Sequence, residues 1–360
     1  MRPENQQLSL FGQSRRLFLK QAATMALAAA IGGWNRSEGR IYTPNMAVDR
    51  KVPLDQLINR ALFLEEQFVL EDLSGKSVYE RNIRNQYTEL IAEIFVQEHQ
   101  ADFPSMKLLE PIVWIGAEEY SRIALQQFKQ NSSQMSKEEI KEVIKNEVAM
   151  TSQGHIFINF DSAFLKQEMF RDPTSPFPHG WNTLKALRTI LLHEFNHLIL
   201  IPKQDDVLFR IVDPQNQLQN KQVEGFRLTA KDKEGYDYFI VEYDIFDEAA
   251  VELMSISSNH KIFGSAFSSY KYSGYDITET ALRLSDVLKD VGVTAEQMYD
   301  LHRKSQFKEL LLLLAEKGGM KADKSTLNQS LRAGLGIVVA LVKNDQILLK
   351  DYLQSVAANR

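Results

Sequence analysis

The sequence predicts an α+β chain, with a mixed α/β N-terminal lobe over residues 53–245 and a mostly helical C-terminal lobe over 246–360. Two observations carry this expectation. Up to residue 245, β-prone runs such as "PIVWIG" (Pro111 to Gly116) and "HIFINFD" (His155 to Asp161) are interspersed with segments of helical apolar spacing. From Phe246 onward nearly every segment has helical spacing: "DEAAVELMSIS", "ETALRLSDVLKDV", "TAEQMYDLHRKSQFKELLLLLAEK" and "LRAGLGIVVALVKNDQILLKDYL". The apolar stretches at 310–315 and 334–342 are too short to span a bilayer, which takes about 20 residues, and are expected in the core.

The first 33 residues read as an address. "SRRLFLK" (Ser14 to Lys20) precedes the short apolar run "QAATMALAAAIGGW", which is signal-peptide anatomy. The pair Arg15-Arg16, with Phe18, Leu19 and Lys20 behind it, resembles a twin-arginine signal. That resemblance implies export in the folded state to the periplasm or beyond. The export machinery would be a partner, and membrane contact would come only through the signal segment, whether it is removed or kept as an anchor. Residues 34–52 contain Gly, Pro, Ser, Asn and several charges without periodicity, and are expected to form a linker.

The elements then follow in order. "LDQLINRALFLEEQFVLEDL" and "YERNIRNQYTELIAEIFVQEH" predict helices, "PIVWIG" a strand, and "AEEYSRIALQQF" a further helix. Ser136 and Glu139 have capping-box spacing. In "VAMTSQGHIFINFD" two β-prone runs flank Thr151 to Gly154, a hairpin pattern. "NTLKALRTILLHEFNHLIL" predicts one helix ending near Pro202. Residues 203–245 are expected to be mostly extended, with "EGFRLTA" and "YDYFIVEYD" forming a second hairpin around "KDKEG".

Composition narrows the chemistry. The net charge is −5 and the chain carries no basic stripe, so nothing in it predicts nucleic-acid binding. The absence of cysteine excludes disulfides, thiolate metal sites and cysteine nucleophiles. A metal in this protein must be held by nitrogen and oxygen.

Such donors stand in the most apolar part of the chain. "TILLHEFNHLILI" (Thr189 to Ile201) carries His193 and His197 four positions apart, on one helix face, with Glu194 beside the first. This is the H-E-x-x-H arrangement of zinc metallohydrolases, in which two imidazoles ligate one ion and the glutamate serves a water on it. With only seven histidines in the chain, chance supplies the pattern in about one such sequence in a hundred. A core helix with two satisfied histidines is the bland alternative. The Glu between them in an otherwise uncharged turn favours the metal.

The third ligand must come from elsewhere. A histidine six positions after His197 is ruled out, since Lys203 stands there, and a cysteine ligand is ruled out by composition. An acidic residue on a later helix remains, and "DEAAVEL" (Asp247 to Leu253) offers one. Here the chain resembles the gluzincin superfamily of metallopeptidases. The resemblance is confined to the two metal helices and an associated strand. It implies a zincin-like fold and a single Zn2+ held by His193, His197 and Glu248. It also implies that Glu194 is the general base and acid, and that Glu252 hydrogen-bonds the far nitrogen of His193. Asp247 replaces the family's more usual asparagine, and the 51 positions from His197 to Glu248 exceed the gap in the best-known members. Asp244, Asp247 and Glu242 are the other acids within reach of the ligand role.

The same resemblance implies a cleft-lining edge strand, for which "HIFINF" is the candidate, with His155 incidental to it. It also implies a Tyr or His facing the metal to stabilise an oxyanion. Tyr275 is the first choice, with Tyr270, Tyr272, His260 and His302 as alternatives. The function implied is hydrolysis of peptide bonds in a peptide or protein substrate. A zinc hydrolase of a non-peptide amide, such as a cell-wall component, and a non-catalytic zinc-binding regulatory protein are the rivals.

Overall fold

A computed structural model describes residues 40–42, 52–71, 77–99, 112–131, 149–152, 155–159, 183–235, 237–264, 277–290, 292–317, 325–345 and 349. The signal-like segment 1–33, most of the linker, the Ser136 and Glu139 pair, and Tyr270, Tyr272 and Tyr275 lie outside these residues. Ten helices and two small sheets are present among the described residues, a mixed α/β chain dominated by helix.

The first sheet contains β1 (Arg40–Tyr42), β2 (Ile112–Ile115), β3 (Ala149–Ser152) and β4 (His155–Asn159), in the order β1-β2-β4-β3. β2 and β4 run parallel, while β1 and β3 pair antiparallel with their neighbours. A parallel pair needs a crossover, and α3 (Ala117–Asn131) lies between the two strands in sequence. Alternate side chains point to opposite faces. Val113, Ile115, Met150 and Phe157 pack with Tyr120, Ile123 and Ala124 of α3. Ile112, Trp114, Ala149, Ile156 and Ile158 pack on the other face, against α1 (Leu54–Glu71), α2 (Ser77–Glu98) and α4 (Thr183–Leu198).

This arrangement corrects one expectation. "HIFINF" is not an edge: β4 is interior, flanked by β2 and β3, with all five of its side chains buried. An apolar run without polar alternation is the pattern of a strand covered on both faces. Among the described residues the outer strands are β1 and β3, and β3 is the one beside β4. Thr151 is two residues from Ala149 and so faces α4.

The metal-motif helix α4 is anchored by more than apolar contact. The Arg188 guanidinium on it forms an ion pair with Glu65 of α1, and the Tyr87 hydroxyl of α2 donates to the same carboxylate. All three residues are buried. A buried pair of this kind specifies geometry more than it stabilises.

The second sheet is antiparallel throughout: β5 (Lys203–Gln204), β6 (Gln219–Glu224), β7 (Arg227–Lys231) and β8 (Asp237–Phe239). It covers the segment expected to be extended, with two differences. A short helix, α5 (Asp206–Val212), follows β5, because the Asp205 carboxylate accepts from the Val207 and Leu208 N–H groups and caps it. And "IVEYD" is not strand. The long helix α6 (Val241–Phe263) begins there, five residues before Phe246. Its acidic first turn, Glu242 and Asp244, suits a helix N-terminus, and Tyr243 and Phe246, three apart, are buried together. β-branched residues disguised the start.

α7 (Ile277–Asp290), α8 (Ala295–Arg303), α9 (Phe307–Lys317) and α10 (Leu327–Val342) complete the helical part. They share one core cluster with α5, β6, β7 and α6. Leu310, Leu311 and Leu314 of α9, and Leu331, Ile337, Val338 and Leu341 of α10, lie in it. Among the described residues no helix is long and apolar enough to cross a membrane. α4 contributes apolar side chains to the first core and α6 to the second, and the two helices pack on each other. Small side chains, Ala249 and Ala250, are fully buried in α6, and the Ser255 hydroxyl donates to the Thr189 carbonyl across the helix pair at 3.2 Å.

Candidate metal centre

The polar faces of α4 and α6 meet between the two cores. His193 Nε2, His197 Nε2 and Glu248 Oε2 converge there. The nitrogens lie 3.2 Å from each other, and the oxygen lies 3.1 Å from His193 and 3.3 Å from His197. Together they form a group whose spacing suits a bound metal ion. Three donors at tetrahedral angles, each about 2.0–2.1 Å from one ion, stand roughly 3.3 Å apart. The observed triangle has those edges. It is poorly satisfied by hydrogen bonds alone, since two ring nitrogens face each other and share one carboxylate oxygen.

The surrounding charges point the same way. Burial disfavours a charge on His193, yet the Glu248 and Glu252 carboxylates outweigh it and push its pKa up to about 10. Burial likewise opposes ionisation of Glu248, but the two histidines and Arg227 hold its carboxyl well below the usual range. A constellation that draws in a proton this strongly also favours a cation.

Each of the two histidines has a carboxylate behind it. Glu252, fully buried, places Oε2 3.3 Å from Nδ1 of His193. Asp247 Oδ2 lies 3.9 Å from Nδ1 of His197, beyond hydrogen-bonding distance but close enough to act through its charge. Asp247 does not face the ligand triangle. Its Oδ1 accepts from the Phe226 N–H at 2.6 Å and lies 2.8 Å from His302 Nε2.

The remaining acids considered for the third ligand are engaged elsewhere. Asp244 Oδ1 is 2.5 Å from Arg227 Nε, and Glu242 pairs with Lys343 at 3.2 Å. Neither belongs to the ligand group. Of the residues considered for the oxyanion role, His302 is buried against Asp247 behind the site. His260 is exposed, 12 residues along α6 from Glu248, or roughly 18 Å at 1.5 Å per residue. His155 is buried in the first sheet.

Glu194 lies beside His193 and is 7% exposed. Its Oε2 accepts from the Thr151 hydroxyl of β3 at 2.5 Å. The edge strand is thereby tied to the carboxylate of the motif. Thr151, Arg227 and His302 had no functional signal in the sequence that matched these positions. Each is one residue of a strand or helix whose partner is remote in the chain, and of the three only His302 is a sequence candidate, for the oxyanion role.

In comparison with known proteins, no family model matches the chain, and no curated protein or solved structure matches it.

Proposed function

We propose that this protein is a zinc-dependent metallopeptidase of gluzincin type on a zincin-like fold, exported by its twin-arginine-like segment to the periplasm or the exterior. The observation that carries the reading is the 3.1–3.3 Å triangle of His193 Nε2, His197 Nε2 and Glu248 Oε2, with Glu194 alongside. Two imidazoles and one carboxylate are a donor set that zinc accepts, and these three residues would hold it. Once bound, zinc supplies Lewis acidity, lowering the pKa of a water towards about 7 and polarising the scissile carbonyl.

The chain's own residues supply the rest. Glu194 takes a proton from the attacking water and delivers it to the leaving amine. The Thr151 hydroxyl fixes the direction of that carboxylate through its 2.5 Å bond. Glu252 sets the tautomer of His193, so that Nε2 offers its lone pair. β3, an outer strand of its sheet among the described residues, offers main-chain N–H and C=O groups to an extended peptide. That pairing favours a peptide over a non-peptide amide.

Incubating the zinc-loaded protein with a mixed peptide library and, separately, with a cell-wall amide tests the reading. Cleavage of peptides that disappears in Glu194→Gln is expected. Turnover of the cell-wall amide alone would move the assignment to a non-peptide hydrolase. Zinc binding with no turnover of any substrate would move it to a regulatory protein.

A further inference from the structure

We infer that Arg227, in the hairpin inserted between the two metal helices, is the positioning residue that fixes which oxygen of Glu248 faces the ligand histidines. The inference rests on the metal-site reading above. The Glu248 carboxylate is divided between two partners. Oε1 accepts from Arg227 Nη2 at 2.7 Å, while Oε2 faces His193 and His197. A glutamate side chain has several rotatable bonds, and a free one could present either oxygen, both, or neither. A guanidinium bond to one oxygen leaves the other to the ion.

Arg227 is itself held from two sides. Its Nε forms a close ion pair with Asp244 at 2.5 Å, and Asp244 lies one turn before Glu248 on the same face of α6. The planar guanidinium spans both carboxylates, which a point-charge ammonium on a flexible stem cannot reproduce. The backbone leading to it is also fixed. The Gly225 N–H donates to Ser305 Oγ at 2.9 Å, and the Phe226 N–H donates to Asp247 Oδ1 at 2.6 Å. Three consecutive residues of the β6–β7 turn region thus hold the hairpin to α6 and to the turn after α8. The hairpin that lengthens the gap between the metal helices becomes a brace for the third ligand.

The arrangement also assigns what Arg227 does not do. With Asp244 and Glu248 in contact and Asp247 3.6 Å away, its charge is already matched within the protein. It is not a receptor for a substrate carboxylate.

A double-mutant cycle on zinc affinity, read by competition with a chromophoric chelator, tests this. The variants are wild type, Arg227→Gln, Glu248→Ala and the double variant, with folding checked by circular dichroism. Arg227→Gln should weaken zinc binding by about 10–100-fold when Glu248 is present and have no further effect when it is absent. The cobalt-substituted Arg227→Gln protein should show an altered visible spectrum, and Arg227→Lys should restore it only in part. Wild-type affinity in Arg227→Gln, or equal weakening in the Glu248→Ala background, overturns the inference while leaving the metal site standing. Wild type that binds no zinc overturns the metal-site reading itself. Should Arg227→Gln not fold, Arg227→Lys carries the same cycle. Failure of both to fold also overturns the inference, since a role confined to Glu248 is not needed for folding.

Discussion

The Thr151 hydroxyl donates to Glu194 Oε2 at 2.5 Å, joining β3 of the first sheet to the carboxylate of the H-E-x-x-H helix. The two residues are 43 positions apart. Thr151→Val keeps the shape and removes the bond. It is expected to lower kcat for peptide hydrolysis by about 10-fold, the scale of losing a group that orients a reacting one. Zinc content should be unchanged, and Thr151→Ser should recover most of the rate. Equal rates in Thr151→Val and wild type would remove Thr151 from the proposed machinery.

Glu252 is expected to act on the ion through His193. Glu252→Gln keeps the volume but loses the negative charge 3.3 Å from Nδ1. Zinc affinity should fall by about 10–100-fold with little change in the far-ultraviolet dichroism spectrum. Unchanged affinity, measured by chelator competition, would assign Glu252 to packing alone.

Gly225 is required at the hairpin tip. Its φ is +63°, and a Cβ there would collide with Asp247 Oδ1 and His302 Nε2. Both atoms belong to the buried network behind His197 and have little room to yield. Gly225→Ala should destabilise the protein by about 1–3 kcal/mol in urea unfolding, with zinc affinity falling in parallel. A stability equal to wild type would show that the tip can relax without cost.

The H-E-x-x-H helix, with its two histidines and Glu194 on it, was legible in the sequence because these features are local. Four positions on a helix fix a shared face whatever the rest of the chain does. The same holds for Glu248 and Glu252, which are four apart on α6. The first hairpin was legible from its β-prone runs and turn. What could not be read were pairings made by topology. β3, not β4, lies at the sheet edge because β2 inserts beside β4 from about 40 residues earlier in the chain. Arg227 and Thr151 reach the site only through such long-range packing. The start of α6 was obscured because "FIVEYD" has strand-like residues, and burial of Tyr243 and Phe246 overrides that local preference.

Acid should weaken the metal-free protein in part through Asp247. Burial opposes its ionisation, but His302, Arg227 and His197 outweigh burial and lower its pKa from the ordinary 3.8. The folded chain therefore binds this proton more weakly than the unfolded chain. Its stabilising contribution is present above about pH 4 and is lost as pH falls through the folded value. Urea unfolding between about pH 5 and pH 2 should show a shallower decline for Asp247→Asn than for wild type, from a lower starting stability. Parallel declines would mean that Asp247 does not contribute to the acid sensitivity.

The most direct measurement is zinc per chain together with peptide hydrolysis, for wild type and Glu194→Gln purified in parallel. About one zinc in each protein, with hydrolysis by wild type alone, is the expected result. A correctly folded wild type that takes up no zinc, or a Glu194→Gln protein that cleaves peptides at the wild-type rate, would be incompatible with catalysis by Glu194 at a His193, His197 and Glu248 metal centre.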